Sequence, residues 1–333
     1  MNFNAVLFHQ KNSKKGTLVS RAFTSVLFVS CMVFAARAED VRVVEQAEAR
    51  SYTEAVDALM RSLSPYDVVV KFEQSIDTGS IVAPVTQYKA RFRRDVSGEL
   101  LVFLREVKTL NVGLAMAGDL DNWKVDSSVV KIQGGKITEF RLNEKPLMHQ
   151  ANDFNAAILK TRVPDLPCFI HSGIVSNFTT PQVYREVLAR IFSLATRFET
   201  RQVALDGEPA VDVRAIIEDD RVLETCRWVY ALPTMDVLLY EVKQKTHGND
   251  AVHRLELQKL KWAVVEPYGR VPVEANCSNR TAVEARDENG KVIWVNAERY
   301  SDVVFQWRKF ADTDNLDTLH PRMSAADFER LFE

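Results

Sequence analysis

What the sequence lacks narrows its function first. It has no G-x-S-x-G turn to present a serine nucleophile. It has no G-x-G-x-x-G or G-x-x-x-x-G-K-[ST] loop whose backbone amides could cradle phosphates. His149, His171, His247, His253 and His320 are scattered, and none belongs to an H-E-x-x-H pair. Cys168 and His171 form a C-x-x-H, but no second close pair completes a zinc site. Four cysteines in 333 residues, widely spaced, exclude a disulfide-stapled miniprotein. Cys168 lies between Pro167 and Phe169, an apolar setting that raises a thiol's pKa and leaves it inert. These absences imply no enzyme, no metal and no cofactor; a secreted hydrolase is the least favoured alternative.

Long apolar runs are also missing. Ala22 to Ala36 is 15 positions long, whereas a membrane-spanning helix needs about 20. The run follows a stretch with Lys11, Lys14, Lys15 and Arg21 and no acidic residue, and Ala36-Arg37-Ala38 comes next. A basic start, a short apolar stretch and an A-x-A site make a cleavable export signal. The expected cleavage lies between Ala38 and Glu39, which leaves residues 39–333 as one domain in a periplasm or outside the cell. Phe28-Val29-Ser30 lacks the small residues that a lipid-modified Cys31 would want before it. Removing the five basic residues of 1–38 from a chain of formal charge −2 leaves about −7. A mildly acidic chain is not built for nucleic acid, nor for an anionic membrane as main partner. Cys168, Cys226 and Cys277 remain, either as one bridge and a free thiol or as three buried thiols.

Hydrophobic periodicity is abundant. Val44 to Leu63 carries Ala55, Leu59 and Leu63 at four-residue spacing, a helix with one buried stripe, ended by Ser64-Pro65. After Pro65 the period becomes two. Tyr66 to Gln74 is β-rich. Thr86 to Arg94 puts Tyr88, Ala90 and Phe92 on one face and Gln87, Lys89, Arg91 and Arg93 on the other. That pattern predicts a strand half buried and half wet. Leu100 to Val107 follows and begins apolar on both faces. Val129 to Leu142 reads as a hairpin turned by Gly134-Gly135. Residues 145–197 form an insertion of loops and short helices, with a helix from Pro181 to Arg197. Strands are then predicted over Ala210–Glu218, Val222–Leu232, Val237–Lys245, Val252–Val265, Pro272–Arg286 and Lys291–Phe310, with Phe305 and Trp307 on one face. Ser324 caps a closing helix to Phe332. About ten strands joined mainly by short turns give a mainly β fold: a large, curled antiparallel sheet with helices over its concave face.

Three stretches resemble the outer-membrane lipoprotein-sorting superfamily, which includes LolA- and LolB-like carriers and RseB-like periplasmic sensors. They are Val44 to Gln74 with its ending Phe72-Glu73-Gln74, Tyr88 to Arg105 with its aromatic and basic alternation, and Trp228 to Trp262 with its proline-containing bend. The resemblance implies an unclosed antiparallel β-barrel and a lipid or lipidated protein as ligand, with a membrane-associated partner. The chain is longer than a typical LolA-like carrier because of the insertion. Tyr88, Phe92, Leu100, Val102, Leu104, Phe140, Phe305 and Trp307 are then the cavity candidates, and Arg91 and Arg93 the candidates for headgroup contact. A structural or protein-interaction module with a filled core is the competing reading. Sequencing the N-terminus of the exported protein should return Glu39 as first residue; an intact leader would make the apolar run an anchor.

Overall fold

The computed structural model describes residues 41–333 apart from 62, 64, 78, 80, 81, 97–100, 112–119, 135, 151–165, 167–169, 171–180, 233, 247–251, 287–291 and 311–318. The leader with its cleavage point at Ala38 and Glu39, Leu100, Cys168 and His171 all fall outside the described residues.

Among the described residues fourteen strands form one sheet: β1 (Arg42–Val44), β2 (Tyr66–Asp77), β3 (Val82–Arg94), β4 (Leu101–Leu110), β5 (Trp123–Gln133), β6 (Lys136–Arg141), β7 (Leu147–Gln150), β8 (Arg197–Leu205), β9 (Glu208–Glu218), β10 (Val222–Ala231), β11 (Val237–Thr246), β12 (Val252–Val265), β13 (Gly269–Arg286) and β14 (Val292–Trp307). Among the described residues three helices accompany them: α1 (Gln46–Arg61), α2 (Pro181–Leu194) and α3 (Ala325–Arg330). Every neighbouring pair is antiparallel. Two meanders, β2 to β7 and β8 to β14, are joined where β14 pairs β2. The sheet does not close; among the described residues its edges are β1 and β7.

The expectation of about ten strands needs correction, because β1, β7 and β8 do not stand out in the sequence. β1 and β7 are 3 and 4 residues long, too short for a period. β7 lies inside the segment expected to hold only loops and helices. β8 turns Phe198, Thr200 and Gln202 to one side, and such a mixed face shows no apolar alternation. Its turn was the missing signal: Asp206-Gly207, with φ of 53° and 86°, links β8 to β9 as the left-handed pair a tight hairpin requires. Gly134, with φ 52°, turns β5 into β6 as its position predicts.

Period-two alternation gives the sheet two faces. On the inner face one buried cluster draws residues from β2 to β6 and from β8 to β14. Phe72, Phe92 and Phe103 come from one meander, and Phe198, Val213 and Trp228 from the other. Strands so far apart in the order can share a cluster only if the sheet curls. Ala49 of α1 and Ile191 and Phe192 of α2 pack into the same cluster, as do Leu166 and Ile170.

The outer face of β2 to β6 is not wet, contrary to the alternation of β3. Val69, Arg91, Leu104, Val129 and Phe140 form one cross-strand row. The C-terminal segment lies on it through Met323, Phe328 and Phe332. Ser324 caps α3, its hydroxyl accepting from the Asp327 amide at 3.0 Å. Arg91 and Arg93 are 6% and 2% exposed. Asp67, 1% exposed, accepts from Arg91 Nε and Nη2 at 2.9 and 2.5 Å, and Arg93 Nη1 lies 3.7 Å from it. Two cations facing one anion leave a positive charge to settle. Arg91 Nη1 also donates to the Leu331 carbonyl at 3.0 Å, at the negative end of α3. Arg93 stacks 4.4 Å from the centre of the Phe310 ring. Lys89 pairs with Glu329. The basic row grips the chain's own C-terminus.

Removing the anion while keeping its shape should be costly. Asp67→Asn is expected to lower unfolding free energy by about 3–5 kcal/mol, the usual cost of orphaning a buried charge, read from urea denaturation. A loss under about 1 kcal/mol, no more than an exposed pair contributes, would mean that water reaches the arginines.

Candidate functional site

The inner face is built from positions that alternate toward α1 and α2. Aromatic residues fill it in pairs. Phe72 stacks on Tyr88 at 4.6 Å, Phe92 meets Phe103 at 5.1 Å, and Tyr268 meets Trp307 at 5.2 Å. From the covering helices, Tyr52 stacks over Tyr230 at 6.0 Å and Phe192 over Phe198 at 5.3 Å.

A polar row crosses this apolar face. Reading along the pairing registers from β10 to β3, it runs Trp228, Tyr240, Gln258, Cys277, Ser301, Gln74 and Thr86. Gln258, Cys277, Ser301 and Gln74 are all under 5% exposed. Gln258 donates to the Ile170 carbonyl, which ties the row to the segment above the sheet. The Cys277 thiol donates to Gln258 Oε1 at 3.9 Å. Ser301 Oγ is buried with no hydrogen-bond partner among the described residues. An unpaired buried hydroxyl costs about 1–3 kcal/mol, so this is the point of the face best suited to a polar atom from outside. Sequence reasoning missed the row because its members lie one to a strand, in line only once the registers are known. From Gln258 to Thr86 the common trait is visible only afterwards: each is a small or amide side chain at an inward position of an apolar strand.

The candidates divide between the two faces. Tyr88, Phe92 and Phe305 belong to the inner cluster, and Trp307 packs against it with Nε1 donating to the Pro272 carbonyl at 2.7 Å. Val102, Leu104 and Phe140 lie on the outer face beneath Phe328 and Phe332. In β4 the inner positions are Phe103 and Val107. Because the start of β4 is apolar at successive positions, alternation there cannot choose between odd and even residues. Arg91 and Arg93 lie beside Asp67 on the outer side.

Among the described residues of the inner face, none is poised for nucleophilic chemistry. Cys226 and Cys277 are free and buried. Burial pushes both thiols up to about 12; the Glu224 carboxylate adds to this at Cys226 and the Asp302 carboxylate at Cys277. Burial likewise raises the Tyr88 and Tyr240 hydroxyls well above the ordinary phenol range. No three His, Cys, Asp or Glu side chains gather as a metal site among the described residues. No helix among them is long and apolar enough to cross a membrane.

No protein-family model matches the sequence, and no curated protein does. Some solved structures are similar to it over most of its length. A DUF1329 family protein from Desulfovibrio piger is 8% identical, with a TM-score of 0.36 over 81% of this chain and 95% of that one. A putative outer membrane lipoprotein-sorting protein domain from Vibrio parahaemolyticus is 6% identical, with a TM-score of 0.36 over 86% and 99%. A LolA superfamily protein from Nitrosomonas europaea is 10% identical, with a TM-score of 0.33 over 79% and 95%. At these identities and TM-scores no residue role passes from them to this chain.

The two thiols should stay silent in the native protein. At pH 8 a thiol with a pKa near 12 is thiolate to roughly one part in ten thousand. Iodoacetamide followed by peptide mass mapping should label Cys226 and Cys277 only after denaturation. Rapid native labelling of either would mean that the inner face opens to solvent.

Proposed function

We propose that this chain is an exported, non-enzymatic binding protein that holds an acyl chain, of a lipid or of a lipidated protein, between its sheet and the covering helices. The observation that supports this is the inner face itself. Twelve strands give residues to one apolar cluster, which must be hidden from water. The elements that hide it are separate short pieces: α1 lies closest to β8 and α2 to β9, both near the β1 edge of the sheet. Helices held at one end of a sheet can lift from the rest of it. α2, Pro181 to Leu194, is the proposed lid. A groove of about 370 Å³ opens beside α1, where Tyr52, Thr200, Gln202, Val211 and Leu232 meet, and offers a way in. A carrier of this kind takes its cargo from a membrane-associated partner and releases it to another. Location in a periplasm or outside the cell follows from reading residues 1–38 as a leader.

The filled-core reading has an observation of its own. Leu166, Ile170, Ile191 and Phe192 already occupy the inner face at 5% exposure or less. An acyl chain must therefore displace the chain's own side chains. Binding of a fluorescent fatty acid, and its displacement by unlabelled acids of increasing length, separates the two readings. At about 0.8 kcal/mol per buried methylene, affinity should rise about fourfold per added carbon until the cavity is full. Failure to bind the probe, together with absence of lipid from protein purified out of its native source, would leave the filled-core module.

A further inference from the structure

The outer face of β8 to β11 carries a second charged site, remote in the strand order from Asp67 and independent of any ligand on the inner face. Asp212 is fully buried at 0% exposure. Arginines from three strands reach it: Arg201 Nε at 2.9 Å from β8, Arg214 Nη2 at 3.0 Å from β9 and Arg227 Nε at 3.0 Å from β10. Burial alone would push the Asp212 carboxyl up. Hydrogen bonds and charge from Arg214 and Arg227 outweigh it and hold the group below the ordinary aspartate value, so it stays ionised. One negative charge then answers three positive ones.

Among the described residues nothing covers the surplus. Arg214 and Arg227 stand directly opposite each other across β9 and β10, a like-charge pairing that costs stability unless something holds it. Their side chains keep 27% and 21% exposure. Arg227 spends Nε on Asp212, and its Nη groups have no hydrogen-bond partner among the described residues. A groove of about 320 Å³ opens beside them, and Thr225, Glu241, Lys243 and Lys245 complete most of its wall. Four cations and one carboxylate line it. Lys243 has no ion-pair partner among the described residues. A groove lined by four cations, two of them anchored from below by Asp212, is a concave site for an oxyanion. The guanidinium fork matches two oxygens of a tetrahedral anion, and an ammonium adds a point charge.

We propose that this groove binds a phosphate group, either inorganic phosphate or the headgroup of an anionic phospholipid, with Arg214 and Arg227 as fork donors and Lys243 as the opposing cation. Asp212 is a positioning residue that keeps the two arginines side by side. The test is calorimetric titration of the full chain with inorganic phosphate, alongside sedimentation with phosphatidylcholine vesicles with and without phosphatidic acid. Lys243→Gln contacts no carboxylate and leaves the Asp212 cluster intact; Arg227→Gln removes one fork. Lys261→Gln, on β12 and outside this groove, is the control. Saturable phosphate binding, weakened about tenfold or more by Arg227→Gln and severalfold by Lys243→Gln but not by Lys261→Gln, identifies free phosphate. Sedimentation that requires phosphatidic acid and falls in the same two variants identifies the headgroup. Circular dichroism establishes that each variant is folded. No saturable binding in either arm, or binding that all three substitutions weaken equally, overturns the proposal.

Discussion

The contact between Asp67 and Arg91 fixes how this sheet disposes of its outer surface. Both residues sit on central strands, and neither would be stable there alone, since an unpaired charge at such depth costs several kcal/mol. Their pairing consumes one side of the guanidinium and leaves Nη1 for the Leu331 carbonyl. Arg308 Nη1 reaches the same carbonyl at 3.3 Å. The end of α3 is thereby tied to the middle of a sheet whose strands begin more than two hundred residues earlier. Phe328 and Phe332 can then bury the row from Val69 to Phe140. Without the polar anchor that row would be an exposed apolar patch on the back of an open sheet, the kind of surface that invites association.

Much of this architecture was legible in the sequence, and the limits of legibility have physical causes. Strands with one apolar and one polar side declare themselves, as β3, β9 and β14 do. Alternation says which residues share a face, but it does not say what covers that face. The charged side of β3 has the pattern of a solvated surface, and only the fold shows that a segment more than two hundred residues away lies on it. Where both faces are buried, alternation also loses its parity. The sequence pattern therefore allows Val102 and Leu104 to share a face with Phe92, whereas Phe103 is the residue that meets Phe92. The polar row through Gln258, Cys277, Ser301 and Gln74 was hidden for a third reason: it is a property of register, and register is not local.

Net charge misleads in the same way. A formal charge of −2 for the whole chain describes an average, whereas electrostatic recognition depends on how charges are grouped. Acidic residues only slightly outnumber basic ones overall, 45 to 43, yet the wall between β9 and β11 is cationic. The carboxylate that could have neutralised it is under the arginines and already shared among three of them. A strand pattern such as Asp212-Val213-Arg214 followed by Arg227 opposite looks like an ordinary ion pair until the pairing shows that Arg201 converges on the same oxygens.

The two buried aspartates are therefore instructive as a pair. Each orders more than one arginine, and each leaves positive charge over. At Asp67 the chain settles the remainder itself: a carbonyl oxygen at the end of α3 accepts from Arg91, and an aromatic ring faces Arg93. The oxygen of Leu331 supplies there what an oxyanion would supply from outside. At Asp212 no described segment of the chain lies over Arg227 in that role, and the guanidinium is left facing a groove. Side chains held in place by a buried partner have already lost much of their conformational entropy, so a ligand that meets them incurs less of that cost on binding. The same device that closes one part of the outer face leaves another part prepared, and the difference lies in whether the chain has a carbonyl to spare.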